Sequence, residues 1–148
     1  MQLNIKIKKV NPNAVVPTFG SAFSNCFDLR AVFDGEPVVV PPGGQAKFDT
    51  GLIFEYPEGW SMDVFSRSGM GFMKQIRLSN GTGIIDEDFR STVKIALHND
   101  SAEPFIVTSG DRIAQARLVE SHKYTFEVVD EVSETVRGTG GIGSTGTN

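Results

Sequence analysis

Four stretches of this chain set carboxylates, cations and hydroxyls beside glycine in a way that a plain β core does not require. They are Cys26-Phe27-Asp28-Leu29-Arg30-Ala31, Ser66-Arg67-Ser68-Gly69, Asn80-Gly81-Thr82-Gly83-Ile84-Ile85-Asp86-Glu87-Asp88-Phe89-Arg90, and Gly110-Asp111-Arg112-Ile113-Ala114-Gln115. The tail adds a fifth. After Arg137, five of the last eleven residues are glycine and only Ile142 is apolar. Glycines let backbone N–H groups converge on an anion, hydroxyls add donors, and an arginine supplies fixed positive charge. That is the chemistry of a phosphate grip. Aspartates next to such a grip can take a proton from water or hold the water shell of a divalent cation. Taken singly, each stretch also has a plain use. Asp28 can be a charge at a strand end, Ser68 a helix cap, and Gly110-Asp111 a hairpin turn. Asp86 and Asp88 can be solvated loop carboxylates, and the tail a frayed terminus.

The elements that must position these groups are strands. Leu3, Ile5 and Ile7 alternate with Asn4, Lys6 and Lys8, Val93, Ile95 and Leu97 with Thr92, Lys94 and Ala96, and Tyr124, Phe126 and Val128 with Thr125 and Glu127. A period of two marks strands with one buried face. Turn signals separate them: Asn11-Pro12-Asn13, Asp34-Gly35, Pro41-Pro42-Gly43-Gly44, Pro57-Glu58-Gly59, Asn80-Gly81 and Ser109-Gly110-Asp111. Short strands at this spacing predict an all-β sandwich, jelly roll or related barrel. One helix of at most two turns is expected between Ser66 and Gln75, shortened by Gly69 and Gly71. The chain reads as one β domain over residues 1–136, followed by a flexible glycine-rich arm over 137–148 that burial cannot order.

Composition narrows the function classes. A single cysteine rules out an internal disulfide framework. The two histidines, His98 and His122, lack the spacing of a histidine zinc centre. A net charge of −4 argues against polymeric nucleic acid as a partner, though not against a small anion held locally. No apolar run approaches the ~20 residues of a membrane span, which gives an expectation of no membrane partner. The N-terminus alternates like a strand and has no signal-peptide core, so a cytoplasmic location is expected. Composition alone does not separate an enzyme from a binding module.

Together and in this order, the five segments resemble the five motifs of the trimeric dUTPase family, over about residues 26 to 146. The most specific pieces are Ile85-Asp86-Glu87-Asp88-Phe89-Arg90, Gly110-Asp111-Arg112-Ile113-Ala114-Gln115 and the run from Arg137 to Gly146. The resemblance implies a distorted jelly roll of the β-clip type and cleavage of dUTP to dUMP and pyrophosphate, with Mg2+ on the triphosphate. This reaction limits uracil in DNA and supplies dUMP for thymidylate synthesis. By the same resemblance, Asp86 activates the attacking water and Asp28 holds Mg2+ through bound water. Arg67, Ser68, Gly69 and Gln115 match phosphate contacts, and Lys94 falls where some members place a lysine near the α-phosphate. Asn80, Gly83, Ile84 and Ile85 match the hairpin that reads uracil. Phe89 takes the place of an aromatic, usually tyrosine, packed on the deoxyribose. Arg137, Ile142, Gly143, Ser144 and Thr145 belong to the arm that closes over the nucleotide. The family is a homotrimer whose sites draw on several subunits.

The chain departs from the family pattern at several points. Ile142 stands where phenylalanine commonly stacks on uracil, Cys26 replaces a glycine, Ser91 follows Arg90 where glycine is common, and Trp60 replaces a frequent tyrosine. None of these removes a reactive group. Two other readings compete. A dCTP deaminase of the same fold is disfavoured by Gly69-Met70 after Arg67-Ser68, where that family continues Ser-Leu-Ala, and by the glycine-rich tail. A non-catalytic nucleotide-binding regulator on the same scaffold predicts loss of the water-activating carboxylate, whereas Asp86 is present.

Overall fold

The computed structural model of the chain describes residues 3–142. Gly143, Ser144 and Thr145 lie outside the described residues. The element order is β1 (Lys6–Lys9), β2 (Phe27–Arg30), β3 (Val38–Val40), β4 (Gln45–Asp49), β5 (Leu52–Glu55), β6 (Trp60–Phe65), α1 (Ser68–Lys74), β7 (Ile76–Leu78), β8 (Gly83–Ile85), β9 (Lys94–Asn99), β10 (Phe105–Val107) and β11 (Arg112–Glu120). The strands form four antiparallel sheets ordered β2-β11-β6-β8, β4-β9-β7, β1-β5 and β10-β3. The architecture is all-β of the jelly-roll type with one short helix, and among the described residues no sheet closes into a barrel.

The alternation seen in the sequence becomes burial. Ile95, Leu97 and Asn99 of β9 are buried while Lys94 is exposed. Met62 and Val64 of β6 point the same way and meet Leu29, Ile76, Leu78 and Ile113 in the core. A period of two puts every second side chain on one face, so each strand contributes a row to this core. Two ring contacts extend it: Phe27 stacks on Phe54 at 6.2 Å between centroids, and Phe33 lies 6.0 Å from Phe48.

Among the described residues two polar ones, Thr50 and Asn99, are fully buried and hold strand ends together. The Thr50 hydroxyl donates to the Val93 carbonyl at 2.8 Å. Asn99 donates through Nδ2 to the carbonyls of Val40 (2.9 Å) and Glu103 (2.8 Å), and its Oδ1 accepts from the N–H (2.9 Å) and hydroxyl (2.7 Å) of Ser101. One side chain thus joins β9, β3 and the turn before β10, with all its amide hydrogen-bonding capacity used.

The helix is the two turns expected, but its cap differs. It starts after Arg67, which makes no side-chain cap bond, and Ser66 instead accepts the Leu78 N–H at 2.9 Å. The helix ends on Gln75 in the left-handed region, at φ 55°.

A third expectation fails in the single chain. Tyr124, Phe126 and Val128 alternate as a strand should, yet no strand forms among the described residues after Glu120, and the three side chains are 75%, 94% and 99% exposed. The last ladder pair is Glu120 with Trp60. A strand needs an edge to pair with, and this segment finds none within its own chain.

Candidate functional site

Strand register builds the first part of the site. In β11, Gln115 lies opposite Asp28 of β2 on one side and Phe65 of β6 on the other. The chain leaving β6 then places Ser66, Arg67, Ser68 and Gly69 beside that pair. The result is a cleft of about 360 Å³ lined by Asp28, Arg67, Ser68, Gly69, Gln115 and Arg112, with Cys26 at its wall. Asp28 is held at both oxygens: Arg67 Nε donates to Oδ1 at 2.9 Å and Arg112 Nη1 to Oδ2 at 3.1 Å. The Gln115 side-chain nitrogen donates to the Ser66 carbonyl at 3.0 Å. An amide nitrogen carries two hydrogens, so one is left for a ligand. Two guanidinium groups, a hydroxyl and an amide on one wall suit an oxyanion.

A change of sheet builds the second part. β7 pairs with β9, whereas β8 pairs with β6, so the turn through Asn80 and Gly81 carries the chain from one sheet to the other. Gly81 sits at φ 73°, which suits a residue without a Cβ. At Gly83 a Cβ would stand 3.3 Å from Val64 Cβ, so glycine lets β8 lie close on β6. Between the separated strands opens a cleft of about 290 Å³, lined by Asn80, Gly83, Ile84, Ile85 and Lys94 among others. β8 is the last strand of its sheet, so its outer edge carries N–H and C=O groups that no strand pairs. A planar base with its own donors and acceptors is the kind of ligand such an edge can pair with.

Asp86 follows β8 directly. It is exposed and lines a third cavity of about 290 Å³ with Trp60, Ser61, Glu87, Asp88, Ser121 and Lys123. Glu87 accepts the Gly59 N–H at 2.7 Å and lies 3.4 Å from Lys123. The Gly59 N–H holds the Glu87 carboxyl below its ordinary pKa, with desolvation opposing and Lys123 adding to the effect.

A model of the dUTPase family matches residues 12–146 of the chain. The chain belongs to the dUTPase family. Proteins named deoxyuridine 5'-triphosphate nucleotidohydrolase resemble it along nearly its whole length. That of Helicobacter pylori strain J99 is 38% identical over 144 residues, 97% of each chain. That of Wolinella succinogenes is 38% identical over 145 residues, 98% of this chain and 95% of the relative. Among solved structures, the dUTPase of Staphylococcus bacteriophage 80alpha with dUpNHpp superposes at a TM-score of 0.81 with 24% identity, covering 97% of this chain and 98% of that one. A dUTPase mutant from phage phi11 of S. aureus, described for its coordination of a structural Mg(II) ion, superposes at 0.76 with 20% identity over 86% and 97% of the two chains. These two likenesses show the fold. Family membership makes the chain an enzyme, a nucleotide hydrolase of the dUTP diphosphatase class.

Within this dUTPase the sequence-predicted residues fall into separate groups. Asp28, Arg67, Ser68, Gly69 and Gln115 share one cleft, Asn80, Gly83, Ile84, Ile85 and Lys94 a second, and Asp86 a third. Phe89, Arg137 and Ile142 line none of the three. Phe89 is 39% exposed, so it is not one more core aromatic. Lys94 is exposed, as its place on an alternating strand requires, yet it also faces the β8 cleft.

Sequence reasoning missed Arg112 as the second partner of Asp28. The signal was its place three residues before Gln115 in the same motif. It also missed Tyr56, whose hydroxyl meets the carbonyls of Ile85 and Asp86, and the Glu87–Gly59 tie, because neither a tyrosine nor one more loop carboxylate announces which backbone atoms it will meet.

Proposed function

We propose that this dUTPase hydrolyses dUTP to dUMP and pyrophosphate, with Asp86 as the base that draws a proton from the attacking water. The observation that carries this reading is the placement of Asp86. An exposed carboxylate lines an open cavity and follows directly the edge strand whose free backbone groups suit a base. The water oxygen bonds to the α-phosphorus, the bond from that phosphorus to the bridging oxygen breaks, and pyrophosphate leaves. Asp86 Oδ takes the proton, a contribution of roughly 10²–10⁴-fold for a well-placed general base. Positioning and charge neutralisation supply the rest, because phosphoryl transfer asks little covalent chemistry of the protein.

Arg67, Ser68, Gly69 and Gln115 hold phosphate oxygens. Asn80 and the backbone of Gly83, Ile84 and Ile85 read uracil and oppose cytosine, whose exocyclic amine reverses one hydrogen-bond polarity. The tight turn leaves no space for a thymine methyl, and Phe89 packs on the deoxyribose, where a 2′-hydroxyl would collide. Lys94 approaches the α-phosphate, and residues 137–148, with Arg137, Ile142, Gly143, Ser144 and Thr145, form the closing arm.

The residues fit Mg2+ in one way only. Among the described residues no three His, Cys, Asp or Glu side chains gather as a metal cage. Both Asp28 oxygens already accept from guanidinium groups. Each keeps a lone pair that could accept from a metal-bound water, so Asp28 would hold the ion through water rather than directly. When bound, Mg2+ neutralises charge on the phosphates.

The working form is a homotrimer. Support comes from the scatter of site groups over three cavities of one chain, and from the uncovered alternating side chains of Tyr124, Phe126 and Val128, which suit an edge on a second copy.

Pyrophosphate release measured with Mg2+ on dUTP, dCTP, dTTP and UTP tests the reading. Turnover of dUTP well above the other three is expected, and equal rates on all four would remove the specificity claim. Asp86→Asn is expected to keep nucleotide binding and lose turnover by at least about 100-fold.

A further inference from the structure

The turn that carries Asp86 is not held by the sheet. β8 ends at Ile85, and residues 86–93 form no strand. The turn is closed locally, by the Phe89 N–H donating to the Asp86 carbonyl at 3.1 Å and by Arg90 Nη1 donating to the Glu87 carbonyl at 2.7 Å. Such bonds fix the shape of the turn but leave its angle to the body of the protein open. Two contacts from the segment joining β5 to β6 fix that angle. Tyr56 is buried, 6% exposed, and its hydroxyl stands 2.8 Å from the Ile85 carbonyl and 2.9 Å from the Asp86 carbonyl. Its one hydrogen is shared between the two oxygens that bracket the start of Asp86. Three residues further along the same segment, the Gly59 N–H is bonded at 2.7 Å by the side chain of Glu87, the residue after Asp86.

We propose that Tyr56 and Glu87 are positioning residues that clamp the backbone on both sides of Asp86 and so aim its carboxylate. The proposal rests on the reading of Asp86 as the base. Neither residue needs to touch the nucleotide. Tyr56 is sealed in the core, and the Glu87 carboxylate is committed to Gly59 and Lys123. Burial raises the Tyr56 phenol above its ordinary pKa, so it remains a donor to both carbonyls throughout the neutral and mildly alkaline range. A general base works only within hydrogen-bond reach of the proton it takes, and a misplacement of 1 Å can cost about 100-fold. The Glu87 half of the clamp bears on that distance alone, whereas the Tyr56 half also holds the Ile85 carbonyl at the end of the strand assigned to uracil.

The test uses the full chain and compares Tyr56→Phe, Glu87→Ala, Glu87→Gln and Asp86→Asn. Functional sites are counted by titration with α,β-imido dUTP, so that loss of folded protein is not read as loss of rate. Per site, Glu87→Ala is expected to lower kcat about tenfold with KM changed less than about twofold, and Tyr56→Phe to lower kcat about tenfold with a smaller change in KM, because its hydroxyl also holds the Ile85 carbonyl. Glu87→Gln keeps an oxygen for the Gly59 N–H and is expected to restore most of the loss. Wild-type kcat per site in both Tyr56→Phe and Glu87→Ala, beside an inactive Asp86→Asn, would overturn the clamp while leaving the base assignment intact. A rise in KM that accounts for the whole loss would overturn it as well. Near-normal turnover of Asp86→Asn would remove the base assignment itself and the clamp with it.

Discussion

Replacing Asn99 is the most informative test of what ties the three-stranded sheet to the β10-β3 pair. Asn99→Ala removes both donors that satisfy Val40 and Glu103 and the acceptor used by Ser101. The Val40 carbonyl lies in a fully buried residue and no water can replace the lost partner, which costs about 1–3 kcal/mol. The Glu103 carbonyl and the Ser101 groups are nearer solvent and recover part of their bonding, so the total is about 3 kcal/mol. For a chain of this length that lowers Tm by roughly 6–12 °C. Asn99→Asp is worse at neutral pH, because a buried carboxylate then faces two carbonyl oxygens and has no hydrogen to offer. Burial raises the folded-state pKa of that introduced carboxyl. Its stability is therefore recovered as pH falls, and the deficit of Asn99→Asp relative to Asn99→Ala narrows toward about pH 5. Thermal and urea unfolding followed through Trp60 fluorescence at fixed protein concentration measures both effects. A Tm change below 2 °C for Asn99→Ala, or a pH-independent gap between the two variants, would refute the account of Asn99 as a fully bonded, water-inaccessible tie.

Two further outcomes follow from charge and backbone geometry. Glu87 and Asp100 are held below their ordinary pKa values, first by the Gly59 N–H and by the Arg77 side chain respectively. A lowered folded-state pKa means stability present above the unfolded value, 4.5 for Glu87 and 3.8 for Asp100, and lost as pH falls through the folded one. Unfolding midpoints measured across this acid range are expected to fall less steeply in Asp100→Asn than in the wild type, and parallel slopes would exclude a contribution from Asp100. Gln75→Gly is expected to stabilise the protein by about 0.5–1 kcal/mol, since Gln75 occupies a left-handed backbone position at φ 55° that a Cβ strains; a lower urea midpoint would refute this.

The core of the fold was readable because period two is a local property. Ile95, Leu97, Met62 and Val64 turn inward as alternation requires, and the glycine turns at Asp34-Gly35, Asn80-Gly81 and Ser109-Gly110 all carry positive φ. What escaped was non-local. Asn99 carries no signal of its own in the sequence, and only the arrival of β3 and Ser101 reveals its role. Ser66 lies at the start of the expected helix, yet its hydroxyl serves β7, twelve residues on. The site shows the same division. The motif residues were legible in the sequence by type, but which of them share a cleft depends on register between β2, β11 and β6. The misreading of Tyr124, Phe126 and Val128 as a paired strand has the same origin, since alternation reports a buried face without saying whose body buries it.

The clasp of Asp28 between Arg67 and Arg112 has a consequence for the order of events in that cleft. The wall supplies its own counter-ion. Any anion drawn to Arg67 or Arg112 must therefore compete with an internal carboxylate, and a guanidinium drawn away leaves one Asp28 oxygen without its partner. Charge in this cleft is thus exchanged rather than added.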